Sequence, residues 1–487
     1  MTKKEIKIEK KAEVKKDEKG LKVKKSEDFS EWYTEIIQKA ELADYAPIKG
    51  FMVIRPNAYS IWESIQENFN KVLKAKGVSN AYFQLLIPES FFRREAEHAK
   101  GFAPELAYIE GNEEGERYAL RPTSETIMYD SYSRWIRSWR DLPLRLNQWC
   151  NVVRWEVKQT KPFLRTREFL WQEGHCVFED EKGAEDNMNE MIEAYRKMVE
   201  ELLAIPVLVG QKSKGETFAG AHKTVAIEAL MPDGKALQCG TSHNLGQGFA
   251  KSFGISYLGK DGKQSIPWQT SWGFSTRLIG ALIMMHGDDK GLVVPPRVAR
   301  NKIAIVPIYF DDSKERILKK IKEVGKELEN FAPIVDSREE YSPGWKFSEW
   351  EMKGIPLRIE IGPKDMEKKQ AVFVRRDTGK KEIVAEKDIK KRAEEVLEEI
   401  QNDLFKKAQE HLKSHIVEAK NMDELKKCLE GGNLVKIYFV DSPAVEEEIK
   451  TATGGATSRI IESVKKEGVC VQSGKKTNVI GYFAKSY

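Results

Sequence analysis

Asn151–His175 reads NVVRWEVKQTKPFLRTREFLWQEGH. Arg154 and Glu156 are spaced i, i+2, which on a strand puts both side chains on one face. A guanidinium fork on an enzyme sheet can clamp a phosphate and a carboxylate bidentately. A carboxylate beside it can accept from an adenine amino group. Arg165 and Phe169 follow a basic loop, Lys158–Lys161, at a separation that lets an Arg and a ring sandwich a purine while holding its phosphate. On spacing alone, a cross-strand surface ion pair is the commoner explanation of Arg154 and Glu156.

Downstream, Gly273–Arg277 reads GFSTR and runs straight into LIGALIMMHG, a glycine-bearing strand passing into an apolar helix. Arg277 then stands near a helix N-terminus, where the dipole favours anions. A cation there fits a ligand phosphate bound at the same helix end. An Arg capped by a neighbouring carboxylate explains it equally well. Upstream, Ser60–Gly77 carries Ile61, Trp62, Ile65, Phe69, Val72 and Leu73 on one helical face, and Gly77 supplies a stop. Ala81–Ile87 (AYFQLLI) predicts a buried strand broken by Pro88, and strand signals dominate from Tyr118 to Phe178.

Beyond Pro295–Pro296 the character changes. Lys302–Tyr309 predicts a strand, Ser313–Asn330 an amphipathic helix, and Leu357, Ile359 and Ile361 alternate with Arg358 and Glu360 as in a half-buried strand. That alternation predicts a small α/β module ending near residue 405, followed by a small α/β appendage. Residues 1–27 are Lys/Glu-rich and bury too little to offset ordering, which predicts a disordered charged tail. With 487 residues, 40% of them hydrophobic, several cores are possible. No apolar run is long enough to cross a membrane and the N-terminus lacks a signal h-region, so a cytoplasmic protein is expected. Five scattered cysteines without CxxC spacing argue against a disulfide framework. The net charge of +5 neither requires nor excludes a nucleic-acid partner.

Taken in order, these segments resemble the three signature motifs of class II aminoacyl-tRNA synthetases. The helix and strand ending at Pro88 resemble the dimer-interface motif. Arg154-x-Glu156, the loop and Arg165-x-x-x-Phe169 resemble the second motif, and GFSTR with its helix the third. RPTSE (Arg121–Glu125), FLWQEGH (Phe169–His175), QCGTSHNLGQ (Gln238–Gln247) and VPPRV (Val294–Val298) narrow this to the archaeal/eukaryotic type of prolyl-tRNA synthetase family. PGWKFSEWEMKG (Pro343–Gly354) and GPKD (Gly362–Asp365) resemble that family's anticodon-binding domain, and the closing FAKSY its C-terminus.

The resemblance implies an α/β multidomain protein. A class II antiparallel-sheet catalytic domain would occupy 28–298, an α/β anticodon-binding domain 299–405, and a small α/β C-terminal domain 406–487. It implies adenylation of L-proline with ATP and Mg²⁺, transfer to tRNA(Pro), and a homodimer. Thr123, Glu125, Arg154, Trp171, Glu173, His175 and His243 would form the proline site. Arg154, Glu156, Arg165, Thr166, Phe169, Gln238, Thr241, Ser275 and Arg277 would hold ATP, with Arg154 and Arg277 catalytic. Glu228 is the candidate Mg²⁺ ligand, and Glu351 and Lys364 the candidate anticodon readers.

Two departures carry expectations. Too few residues separate the second and third motifs for the editing domain of bacterial-type relatives. The cysteine pairs of the family's C-terminal zinc site are also missing: Asp441–Glu446 (DSPAVE) has no ligand thiol and Cys470-x-x-Ser473 keeps only one, so no zinc is expected. The alternative function is a synthetase-like paralogue with a regulatory or accessory role, which retention of Arg154, Arg165 and Arg277 disfavours. Synthetases for threonine, serine or glycine fit the WQEGH and GTSHNLGQ stretches less well.

Overall fold

The computed structural model describes residues 20–96, 105–110 and 115–487. Among them, eleven strands form one sheet. From one edge the order is Ile416–Glu418, Leu434–Tyr438, Lys476–Ala484, Thr457–Val469, Leu208–Gln211, Lys223–Leu230, Ala236–Gly246, Trp268–Ser275, Glu168–Phe178, Leu144–Val153 and Ser79–Asn80. All neighbours pair antiparallel except the outermost pair at each edge. The first four strands belong to the C-terminal segment. They join the catalytic strands through one pairing, Ile461 with Gln211.

Period-two alternation assigns each strand a front and a back. On Glu168–Phe178 the back carries Leu170, Gln172, Gly174 and Cys176. Across from them, Trp272 pairs with Gly174 and Phe274 with Gln172. A Cβ on Gly174 would lie 2.1 Å from the Trp272 ring, so the glycine of WQEGH is there for packing. Trp272 and Phe274 meet Phe69 of helix Pro56–Ala75 and Tyr195 of helix Glu181–Leu203. Phe69–Phe274 and Tyr195–Phe274 cross edge-on at 5.1 Å, contacts that add about 0.5–1.5 kcal/mol each beyond burial. Helix Arg277–His286, apolar nearly all round, fills the same core. The front face is left for chemistry. Its far end is closed by helix Glu125–Trp135, whose Met128, Tyr129 and Tyr132 pack in a separate cluster with Val177, Leu245 and Phe249.

Between Phe178 and Trp268 the chain is helix Glu181–Leu203, three strands of the same sheet, the short helix Gly248–Ser252 and the small hairpin Tyr257–Leu258/Gln264–Ser265, with no inserted domain. The next domain has a five-stranded sheet ordered Ile334–Val335, Ile303–Pro307, Leu357–Ile361, Gln370–Arg375, Lys381–Ala385, the first three parallel. Helices Lys314–Glu327 and Ile389–Ser414 cover it.

Several expectations need correction. Ala81–Leu85 is irregular, flanked by the two-residue strand Ser79–Asn80 and the short strand Leu86–Pro88; only Phe83 and Ile87 bury deeply. Tyr118–Phe178 contains helix Glu125–Trp135. Strand Leu357–Ile361 is buried on both faces, because Arg358 and Glu360 bond each other and Arg358 lies over Phe347. The 405/406 boundary falls inside the continuous helix Ile389–Ser414. Of the expected tail, residues 1–19 lie outside the described residues; residues 20–27 are exposed or half-buried, with Leu21 against the core. Lys25 Nζ donates to the carbonyls of Met284 and Gly287 at 2.8 Å each, capping helix Arg277–His286, and its amide donates to Asp289. At the other terminus the Ala236 amide donates to Lys485 O, and Tyr487 Oη donates to Asp233 at 2.6 Å, fastening the last residues to the catalytic sheet.

Candidate active site

On the front of strand Glu168–Phe178 stand Phe169, Trp171, Glu173 and His175. The adjoining strands align Cys150, Gln148 and Leu146 on one side and Ser275, Gly273 and Ser271 on the other. The next strand brings Thr241 and His243 opposite Gly273 and Ser271, and the following one Thr224, Ala226 and Glu228. One cleft is lined by Thr123, Glu125, Arg154, Phe169, Trp171, Glu173, His175, Gln238, Thr241, His243, Ser275 and Arg277, so the structure gathers these expected residues.

Its inner end is acidic. Glu125 is the first residue of its helix, and Thr123 Oγ1 donates to it. The N-cap Ser124 leaves its helix uncapped and donates instead to Glu173. Gln148 Nε2 (3.2 Å) also donates to Glu173, and His175 Nε2 bonds it at 3.1 Å. Burial disfavours the Glu173 charge, but the bond and charge of His175, with Ser124 and Gln148, hold its pKa below the ordinary carboxylate value. Burial likewise opposes His175 protonation, but the Glu173 bond and the charges of Glu125 and Glu173 raise its pKa. Tyr129 Oη sits 3.0 Å from His175 Nδ1 and fixes the ring. Counted formally, two carboxylates and one imidazolium leave one net negative charge, a match for a single ammonium. Ligand atoms of Glu125, Glu173 and His175 lie within 4.8 Å of one another, which alone would suggest a metal. Their internal bonds already use Glu173 and His175, so the arrangement fits an ammonium better.

The outer end is cationic. Arg154 is not on a strand with Glu156: strand Leu144–Val153 ends before it, and both residues lie in the following turn. Arg154 still reaches the front face, its guanidinium 5.2 Å from the Phe169 ring and 5.6 Å from that of Trp171. Its Nε makes one long bond, 3.3 Å to Pro122 O. Arg277 donates to Leu164 O (3.2 Å) and Gln238 O (3.3 Å), tying the turn-and-loop segment to the sheet. A connected recess is lined by Arg154, Glu156, Arg165, Thr166, Phe169, Ser275 and Arg277. Thr166 Oγ1 there donates to Glu168 O at 2.6 Å, so its hydroxyl shapes the loop.

Glu228, the expected Mg²⁺ ligand, is 2% exposed, and its carboxylate accepts from Lys212 Nζ at 2.8 Å and from Arg459 at 3.0–3.2 Å. His243 is buried beside Thr224 and Thr241, and burial, with the charges of His175 and Lys212, depresses its pKa to about 3. It presents a neutral ring to the cleft. Glu351 and Lys364 are not brought together. Glu351 bonds Arg358 at 2.9 Å near the start of strand Leu357–Ile361, whereas Lys364 is exposed just past its end.

Sequence reasoning missed Ser124, Gln148, Lys212, Glu216, Phe218 and Thr224. Gln148 was legible in principle, because it shares the strand phase that faces Glu173 across the ladder. Lys212 and Phe218 lie on short connections with no periodic signal.

Comparison with known proteins agrees with this geometry. Residues 108–286 match the tRNA synthetase class II core domain (G, H, P, S and T), 302–402 the anticodon binding domain, and 422–487 the prolyl-tRNA synthetase C-terminal domain. The chain is 50% identical over 470 residues to the proline–tRNA ligase of Natranaerobius thermophilus, covering 95% of this chain and 97% of that one. It is 49% identical to that of Oceanobacillus iheyensis (95% and 97% covered) and 47% identical to that of the archaeon Cenarchaeum symbiosum (96% and 99% covered). With its acid-ended cleft, its paired arginines and relatives that align along nearly their whole length, the chain belongs to the proline–tRNA ligases, within the class II aminoacyl-tRNA synthetases.

Proposed function

We propose that the two ends of the cleft divide the family reaction, which joins proline to tRNA(Pro) at the expense of ATP. The observation that carries this is the acidic pocket with one net negative charge directly beside Arg154. The secondary ammonium of proline donates to Glu125 and Glu173, and the Trp171 face supports the ring. Arg154 then reaches both the proline carboxylate and the α-phosphate. Phe169 stacks on adenine, while Arg165 and Arg277 take the remaining phosphates. A carboxylate oxygen attacks the α-phosphorus in line and the bond to the bridging oxygen breaks. Arg154 and Arg277 stabilise the charge that builds as pyrophosphate leaves. The terminal ribose hydroxyl of the tRNA next attacks the prolyl carbonyl and AMP leaves.

ATP of such enzymes comes with a divalent cation, typically Mg²⁺. The described residues do not form a dedicated site for it: Glu228 is committed to two cations, and Glu156 is the sole carboxylate lining the phosphate recess. The cation would therefore enter on the phosphates. Recognition of the anticodon by Lys364, a homodimer and a cytoplasmic setting belong to the same proposal. They are supported by the family's domain order and by the lack, among the described residues, of a helix long and apolar enough to cross a membrane. ATP–pyrophosphate exchange with each amino acid in turn tests the reading. Exchange with proline is expected. Exchange with threonine, serine or glycine in its place, or with none, would overturn it.

A further inference from the structure

Glu228, Lys212 and Arg459 form a buried cluster that the reaction as described does not use. Their side chains are 2%, 2% and 7% exposed. Burying three charges is costly unless they pair closely, and breaking one pair leaves another charge stranded. The cluster spans two domains: Glu228 is in catalytic strand Lys223–Leu230, Lys212 follows strand Leu208–Gln211, and Arg459 is in strand Thr457–Val469 of the C-terminal domain.

Its position bears on chemistry. Glu228 stands opposite Gln238, whose carbonyl accepts from Arg277, and Lys212 lines the cleft itself. Lys212 begins beside Thr224 and runs along the front of its strand to Glu228, which carries its ammonium from the amino-acid end toward the nucleotide end. Burial lowers the Arg277 pKa, and the Glu228 carboxylate is among the groups that push it back up, so that carboxylate lies within electrostatic reach of the phosphate-binding arginine. Unshared, Glu228 would pull against the field that holds ATP. Divided between two cations, the cluster carries a net positive charge, and Lys212 keeps donors that Glu228 does not take.

We infer that Arg459 is a positioning residue for proline activation: by taking a share of Glu228 it lets the C-terminal domain hold Lys212 as an additional cation at the phosphate end of the cleft. This rests on the assignment of Arg277 to the phosphates, which loss of exchange in Arg277→Ala checks separately.

The test is steady-state ATP–pyrophosphate exchange on full-length variants, with thermal melting in parallel. Arg459→Met leaves Glu228 paired with Lys212 alone and removes the net charge. It should lower kcat/KM for ATP about ten-fold, the size of one charge acting over several ångströms in a partly screened site. KM for proline should stay within about two-fold. Arg459→Lys should restore most of the loss. Lys212→Met keeps the Glu228–Arg459 pair across the domain junction and should show the same ATP defect with a folded, normally melting protein. Ser213→Ala removes another bond across that junction, Ser213 Oγ to Glu446 at 2.6 Å, and should lower the melting temperature while leaving ATP kinetics unchanged. The inference is overturned if Lys212→Met or Arg459→Met has wild-type ATP kinetics, if Arg459→Lys falls as far as Arg459→Met, or if Ser213→Ala reproduces the ATP defect.

Discussion

Glu125→Gln should injure proline activation more than Glu173→Gln, although Glu173 makes more bonds. The Glu173 carboxylate is contacted by Ser124, Gln148, His175 and, at 3.4 Å, Cys150. In Glu173→Gln the amide oxygen can keep Ser124 and Gln148 while its NH₂ faces His175 Nε2. His175 answers by changing tautomer and donating from Nδ1 to Tyr129 Oη, 3.0 Å away. The network is refilled, at a cost of about 1–2 kcal/mol for exchanging charged bonds for neutral ones. Without Glu173, burial favours neutral His175, so Glu125 still presents one negative charge to the ammonium. What is lost is one charged acceptor, about 1.5–3 kcal/mol or roughly 10–150-fold in kcat/KM for proline. Glu125→Gln is different: the remaining Glu173–His175 pair sums to zero, and a cation meets a pocket with no net charge. That should add on the order of another ten-fold. Since His175 has a raised pKa, the Glu125→Gln pocket is neutral below that pKa and regains its negative charge as pH rises through it, so its deficit should shrink toward alkaline pH. Exchange kinetics at several pH values, with proline varied at saturating ATP, read this out. Equal deficits in both variants at every pH, or a larger loss for Glu173→Gln, would refute the charge count.

Arg154→Ala should lower exchange by about 10²–10³ with an unchanged melt, because among the described residues its guanidinium makes only one long hydrogen bond; near-normal exchange would remove it from the chemistry. His243→Gln should leave the shape of the pH–rate profile unaltered between pH 5 and 8, since a group with a pKa of about 3 carries no proton there; loss of an inflection in that window would contradict a neutral ring. Lys364→Ala should weaken tRNA charging and spare pyrophosphate exchange, whereas Glu351→Gln should lower stability by replacing the ion pair with Arg358 by a weaker neutral bond; an equal loss of both activities in Lys364→Ala would point to misfolding. Chelator treatment should leave the C-terminal domain folded, as Val435, Ile437, Phe439 and Phe483 pack its centre; stoichiometric zinc by elemental analysis would contradict that.

The site residues of strand Glu168–Phe178 were implied by the resemblance, and in the structure they obey period two. Phe169, Trp171, Glu173 and His175 share a face, and Gly174 falls on the other, against Trp272. The same rule failed where charge was buried on purpose. Arg358 and Glu360 read as a solvent face because alternation treats every charge as exposed, yet each has the other to pair with and helix Pro343–Met352 alongside. Glu228, which the resemblance implied as a Mg²⁺ ligand, likewise carries no local signal of its surroundings: the two cations that bond it come from 16 residues upstream and 231 downstream. Neither separation leaves a periodic trace.

That distinction reaches the domain boundaries too. Alternating strand and helix signals after Pro295–Pro296 suggested a separate α/β module and an appendage, because local hydrophobic runs report local cores, and the resemblance implied which unit is catalytic and which reads the anticodon. Contacts between units are made by few residues, often charged, at any distance in the chain. Lys25 caps the helix that Arg277 begins, Tyr487 is fastened beside strand Ala236–Gly246, and Ile461 extends the catalytic sheet into the C-terminal domain. Arg277 is therefore fixed at its helix's far end by the N-terminal segment, and its sheet neighbour Gln238 belongs to a strand that the C-terminus borders. The segment around Lys25 and the last residues of the chain thus brace the Arg277 end of the cleft, while the acidic end is braced from within by Ser124, Gln148 and Tyr129. Loosening either segment should consequently show first in ATP binding, before it shows in the choice of amino acid.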